Sequence, residues 1–271
     1  MWKLMIPAML AGAVFLPGSA GAAVIASSSL TSGQISVTFS NPPEGGTGEL
    51  FSTASAALGP TGVNTADNNP LPGVADAPAA VDGTMSADSA LFVLPDEDNI
   101  SFMTEADGSV GFGEFGTAIG EVTGTFDFTN TVAGTIIEII MDLTQVFNLE
   151  TGVVGDTASG ATSIALSILT ATGVLLPTIS LSDPTCNPNA AFSVTDGDTF
   201  SSSCTGTATF TFAALETGDF TLTFASNSSV DLVGAIPIPG AVGLFGLGVL
   251  GLALFGVTTR PRRSTQLPSL I

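Results

Sequence analysis

Histidine and tyrosine are missing from this 271-residue chain, and its four basic residues sit only near the two ends. Lys3 is the first; no lysine or arginine then occurs until Arg260, Arg262 and Arg263. The single tryptophan is Trp2. Each absence removes a class of chemistry. Without an interior histidine or lysine there is no Ser-His-Asp triad, no Cys-His pair, no Schiff base and no histidine-ligated zinc. Carboxylates, hydroxyls and main-chain groups are the only tools left. A carboxylate-pair hydrolase stays open on those terms. Binding of sugars or phosphates, however, usually enlists the very side chains this interior lacks. A non-catalytic protein is therefore expected.

Acid is what the sequence does contain. All 24 aspartates and glutamates fall between Glu44 and Asp231, so that region carries 0 − 24 = −24 formal charges. Such a body repels nucleic acid and anionic lipid, which excludes both as its partners, and it attracts divalent cations. The acidity alternatively serves solubility in a saline habitat. Cys186 and Cys204 are the only cysteines. Eighteen positions apart in a chain read as exported, they are expected to form a disulfide.

The basic residues mark two targeting segments. Residues 1–22 have the layout of a secretory signal peptide: Lys3, an apolar stretch from Leu4 to Leu16, and the small residues Ala20-Gly21-Ala22 before an expected cut by signal peptidase. Residues 236–271 open on Ile236-Pro237-Ile238-Pro239. An apolar run of 17 residues, Ala241–Val257, follows, and then the arginine cluster. As a helix that run spans about 25 Å at ~1.5 Å per residue, the short end of what crosses a hydrocarbon core. The arginines flank only its C-terminal side, which keeps that side cytoplasmic and the preceding chain outside.

The order Pro-x-Pro, Gly/Leu-rich helix, arginine cluster resembles the PEP-CTERM type of bacterial sorting tail in its VPLPA variety, with Ile236 to Ala241 standing for the motif. Ile238 takes the place of the usual glutamate. The resemblance covers about the last 35 residues. It implies a protein held briefly in the inner membrane, cut near the motif by an exosortase-like membrane protease, and released to the cell surface or beyond. It also implies an association with exopolysaccharide in an extracellular matrix or biofilm.

Between the two segments, residues 23–235 read as one exported body. Strict alternation runs through Ile35-Val37-Phe39, Val122-Gly124-Phe126-Phe128, Ile137-Ile139-Met141-Leu143, Ile164-Leu166-Ile168, Phe210-Phe212 and Phe220-Leu222-Phe224. Alternation of this kind buries one face of a strand and wets the other, the habit of antiparallel sheets. An all-β antiparallel sandwich follows, jelly-roll-like in one form. Ala213 to Asp219 reads as a hairpin between the last two strands, and Thr129 to Gly134 as a turn between the middle pair. Residues 41–99, rich in Pro, Gly, Ala and Asp, read as an irregular excursion, relieved by one short strand at Leu91 to Leu94.

Three motifs compete with plainer readings. Gly246, Gly248 and Gly251 match the dinucleotide fingerprint but lack the strand before and the acid after, so membrane-helix packing explains them better. Asp96 with Asp98, and Asp196 with Asp198, are loop carboxylates of a kind that binds calcium, although neither has EF-hand spacing: Ile100 falls where a third ligand belongs. Thr205, Thr207, Thr209 and Thr211, with Thr221 and Thr223, read as a hydroxyl array able to meet a glycan, or simply as exposed strand residues.

Overall fold

The computed structural model describes residues 23–70, 73–93 and 100–235. Fourteen strands make up this body, and no helix occurs among the described residues. In chain order they are β1 (Val24–Phe39), β2 (Glu44–Leu58), β3 (Thr61–Pro70), β4 (Gly73–Asp82), β5 (Met85–Val93), β6 (Ile100–Val110) and β7 (Phe115–Asn130). Then come β8 (Thr135–Glu150), β9 (Thr157–Thr170), β10 (Gly173–Leu175), β11 (Thr178–Leu181), β12 (Ala190–Thr195), β13 (Thr199–Leu215) and β14 (Gly218–Val233). They form two antiparallel sheets of seven. Sheet I runs β11-β13-β8-β1-β6-β5-β4; sheet II runs β10-β9-β14-β7-β2-β3, with β12 also on β9. The expected all-β sandwich is present.

Each expected alternation lands as read. Ile137, Ile139, Met141 and Leu143 are buried while Glu138 and Asp142 look outward; Val122 and Phe128, Ile164 to Ile168, Phe210 with Phe212, and Phe220 with Leu222 also face inward. With Leu30, Leu50 and Phe102 they fill one large core. Phe128 is its hub, with ring centroids 5.5 Å from Phe39 and 5.6 Å from Phe220.

The other half of the sandwich is built from small residues. Its core is chiefly alanine, including Ala26, Ala54, Ala56, Ala77, Ala87, Ala106, Ala118 and Ala158. Here the sheets approach until backbones meet: a Cβ on Gly120 of β7 would collide with the carbonyl oxygen of Asp88 on β5 and lie 2.8 Å from that of Glu105. Glycine is the only residue that fits there. Between the two cores runs a waist of buried hydroxyls joining the sheets. Ser52 meets Ser89 at 2.7 Å, Thr104 meets Ser228 at 2.8 Å, and Ser28 donates to the Ser229 carbonyl at 2.9 Å. Each of these named hydroxyls has a partner, as buried polar groups generally do.

Two expectations are corrected. Residues 44–93 are not an irregular excursion but carry β2 to β5. Most of their inward positions hold alanine (Ala54, Ala56, Ala75, Ala77, Ala80, Ala87 and Ala90), with Leu50, Met85 and Leu91 as the large exceptions; alanine and serine do not register as alternation against polar neighbours. Pro78 sits on edge strand β4 where its pairing with β5 shifts register, a place that tolerates a missing N–H. The second correction concerns β13 and β14, which do not form a hairpin. They lie in different sheets, so Glu216-Thr217 is an arch across the core, and so is the β7–β8 connection. Asn130 stitches the two arches together: its amide donates to the carbonyls of Val132 and Glu216, while its own oxygen accepts from Thr135.

The expected disulfide joins Cys186 and Cys204, with Cα atoms 5.4 Å apart. The chain crosses from sheet II (β10) to sheet I (β11) and back (β12) at this edge, and the disulfide pins that strap to β13. Beneath it the buried Gln145 amide reaches Thr162 and the Asn187 carbonyl, so the plug is polar and satisfied.

Candidate functional site

Strand directions give the body two distinct ends. β1 begins and β14 finishes at the same end, which we call the exit end; Val24 pairs with Val110, and Val233 with Phe115 and Thr157. The turns β6–β7, β8–β9 and β12–β13 gather there. The expected sorting motif Ile236 to Pro239, the expected helix Ala241–Val257, the arginines 260, 262 and 263, and the expected signal peptide lie outside the described residues. Among those described, no helix is long and apolar enough to cross a membrane.

Asp196 and Asp198 belong to the exit end. Asp196 has a positive φ of 62° and Gly197 one of 91°, the backbone of a tight turn between β12 and β13. The Asp196 carboxylate accepts from the Gly155 amide at 2.7 Å, and the Asp198 carbonyl accepts from Thr151 at 3.0 Å. Both aspartates thus fasten neighbouring turns. Asp96 and Asp98 lie outside the described residues. Among those described, no three acidic or cysteine side chains converge closely enough to hold a metal ion.

Asp156, next to these turns, carried no special signal in the sequence; it reads there as one more loop acid. It is only 1 % exposed. Its carboxylate accepts three main-chain bonds: from Gly152 at 3.0 Å, Val153 at 2.9 Å and Ala235 at 2.7 Å. Charge-assisted bonds of this kind are the strong ones. Gly234 and Ala235 are further held by the β6–β7 turn, through Gly234 N–H to Glu114 O at 2.8 Å and Gly113 N–H to Ala235 O at 2.9 Å.

A second acidic grouping appears on the outer face of sheet I, where Asp88 of β5 pairs across from Glu105 of β6, with Asp107 two residues along and Asp76 on β4 nearby. Partial burial, the Glu105 charge and a hydrogen bond with Glu105 push Asp107 up to about 7. Burial also raises Asp88, opposed by a bond from the Ser89 amide and reinforced by the charges of Asp76 and Glu105. With no cation among the described residues, like charges meet unrelieved.

An open groove of about 480 Å³ lies on sheet II at the end opposite the exit. Glu44, Asp127, Asp219, Thr129, Thr170 and Thr221 line it, with Leu169 and Phe220 as apolar wall. Asp127 accepts from Thr221 at 2.5 Å and Asp219 from Thr129 at 2.6 Å, so these carboxylates are already oriented by hydroxyls.

The threonine array resolves into two faces. Thr205, Thr207, Thr209 and Thr211 line the outside of sheet I; Thr221 and Thr223 line the outside of sheet II. On sheet I the hydroxyls pair across strands, Thr207 donating to Asp142 at 3.0 Å and Ser201 to Asn148 at 2.7 Å.

No protein family's sequence profile matches this chain, and no curated protein is similar to it.

Proposed function

We propose that this is an exported, non-catalytic component of the bacterial cell surface or extracellular matrix, delivered by a PEP-CTERM-like tail and associated with exopolysaccharide. Entry and exit of the chain at one end of the sandwich carry this reading. A body attached there presents both broad faces and the whole far end to its surroundings. Those faces mix hydroxyls and carboxylates with exposed apolar side chains such as Phe51, Leu169 and Ile179, and no described residue is cationic. Divalent cations, calcium first, would bridge them to acidic polysaccharide. The disulfide strap suits an oxidising compartment outside the cytoplasm.

The C-terminal boundary of the protein recovered outside the cells tests this. Intact mass with cleavage at glutamate serves, since the body offers trypsin no sites. A terminus between Val233 and Ala241 supports sorting and release. A terminus at Ile271 in the membrane fraction makes it a tethered protein and removes the exosortase from the account.

The groove favours one alternative, a carbohydrate- or calcium-recognition module. Oriented carboxylates and hydroxyls beside an apolar wall are what a saccharide site uses. Saturable binding of one oligosaccharide, lost in Asp127→Ala, would establish it. A melting temperature unmoved by millimolar calcium would reject a structural calcium site.

A further inference from the structure

We propose that Asp156 is a positioning residue that fixes where the tail is cut. It clamps the Ala235 amide, so the main chain up to Ala235 is held in the body and a protease is confined to peptide bonds beyond it. The proposal rests on the sorting reading of the tail, but the clamp itself does not.

The argument starts from the last residues of the body. Leu232 is fully buried and Val233 is paired on both sides, to Phe115 and to Thr157. The ladder stops at Val233, yet the chain is not let go. Gly234 and Ala235 continue into a non-strand socket, where Asp156, Glu114 and Gly113 take up one main-chain group after another. Gly234 is required in that socket, because a Cβ there would collide with the Gly111 carbonyl oxygen. Gly155 has a positive φ of 94°, and a Cβ on it would lie 3.3 Å from that of Ala235. Immediately beyond, Pro237 and Pro239 have no N–H, and each biases the residue before it toward extended backbone. Two of the four residues after Ala235 therefore lack the main-chain donor that fastens the residues before it.

A protease takes its substrate as an extended strand, using main-chain groups on both sides of the bond it breaks. Upstream of Ala235 those groups are spent inside the body. Hydrolysis beyond it breaks one C–N bond; water gives its hydroxyl to the carbonyl carbon and a proton to the leaving amine. The product keeps Ala235 in its socket and the sandwich intact.

The full chain, purified in detergent, is treated with proteinase K, and the mass of the surviving body is followed with time. The wild type should lose its tail and stop at or beyond Ala235. Asp156→Ala should add products ending between Asp231 and Gly234, formed at least tenfold faster than in the wild type. Should that variant fold poorly, hydrogen exchange on the wild type decides: the Ala235 amide should exchange at least 100-fold more slowly than an unstructured peptide. Free-peptide exchange at Ala235, or wild-type trimming to Asp231 as fast as tail removal, would overturn the clamp. In cells, released wild type ending upstream of Ala235 also overturns it. An unprocessed Ile271 terminus, with the clamp intact in vitro, overturns the sorting reading alone.

Discussion

Asp107 should make this protein more stable in mild acid than at neutral pH, and its amide variant should erase much of that difference. Its folded carboxyl titrates at about 7 against an ordinary value of 3.8, from burial and from Glu105 beside it. The folded state thus holds the proton more tightly than the unfolded chain does. Its contribution is fully present below about pH 4 and is lost as pH rises through about 7. About 3 pH units at about 1.4 kcal/mol each would give roughly 4 kcal/mol. Asp107 is only half-buried on an open sheet face, however, and solvent screening reduces the effect to about 1–2 kcal/mol. Asp107→Asn mimics the protonated form at every pH. At pH 8 it should melt about 2–8 °C above the wild type, and at pH 4 the two should nearly coincide. Melting curves by circular dichroism at both pH values, in low and high salt, provide the check. An equal gap at the two pH values, or none at pH 8, would refute the reasoning.

Three further perturbations address the frame. Replacing both Cys186 and Cys204 by serine should cost about 3 kcal/mol, the chain-entropy value for a loop of this size, seen as a lower denaturant midpoint. Gly120→Ala should cost about 1–3 kcal/mol, because its Cβ meets backbone rather than a side chain that could turn away; unfolding in urea measures it. Ser226→Ala should be neutral or stabilising by up to about 1 kcal/mol: Ser226 Oγ is the one buried side-chain polar atom among the described residues without a partner. A loss of stability there would mean a bond to water that the other hydroxyls do not need.

Alternation was legible wherever the inward residue was large. Ile137 to Leu143 and Phe210 to Phe224 announce both their conformation and their buried face, because the far core needs volume. It failed across β2 to β5, where most inward positions are alanine or serine and only Leu50, Met85 and Leu91 are large. A period of two also cannot say which sheet a strand joins. Phe212 and Phe220 face the same core whether a hairpin or an arch lies between them, and the arch is the one adopted. The cysteine pair was readable from spacing and compartment. Asp156 was not, because its character comes from three amides, one of them 79 residues away along the chain. Nor was the grouping of Asp76, Asp88, Glu105 and Asp107, which exists only once β4, β5 and β6 are side by side.

The first and last strands are both interior members of their sheets: β1 lies between β8 and β6, and β14 between β9 and β7. On the export route proposed above, a chain threaded from its N-terminus would emerge with a vacancy in sheet II. β9 and β7 cannot become neighbours through β14 until Val233 has crossed, and Val233 is three residues from the tail. On that route, completion of the fold would coincide with delivery of the tail. Until then the large core is open along one side, and premature release would liberate a chain with an unfilled slot for a foreign strand. The proposed C-terminal hold would give β14 time to dock before release.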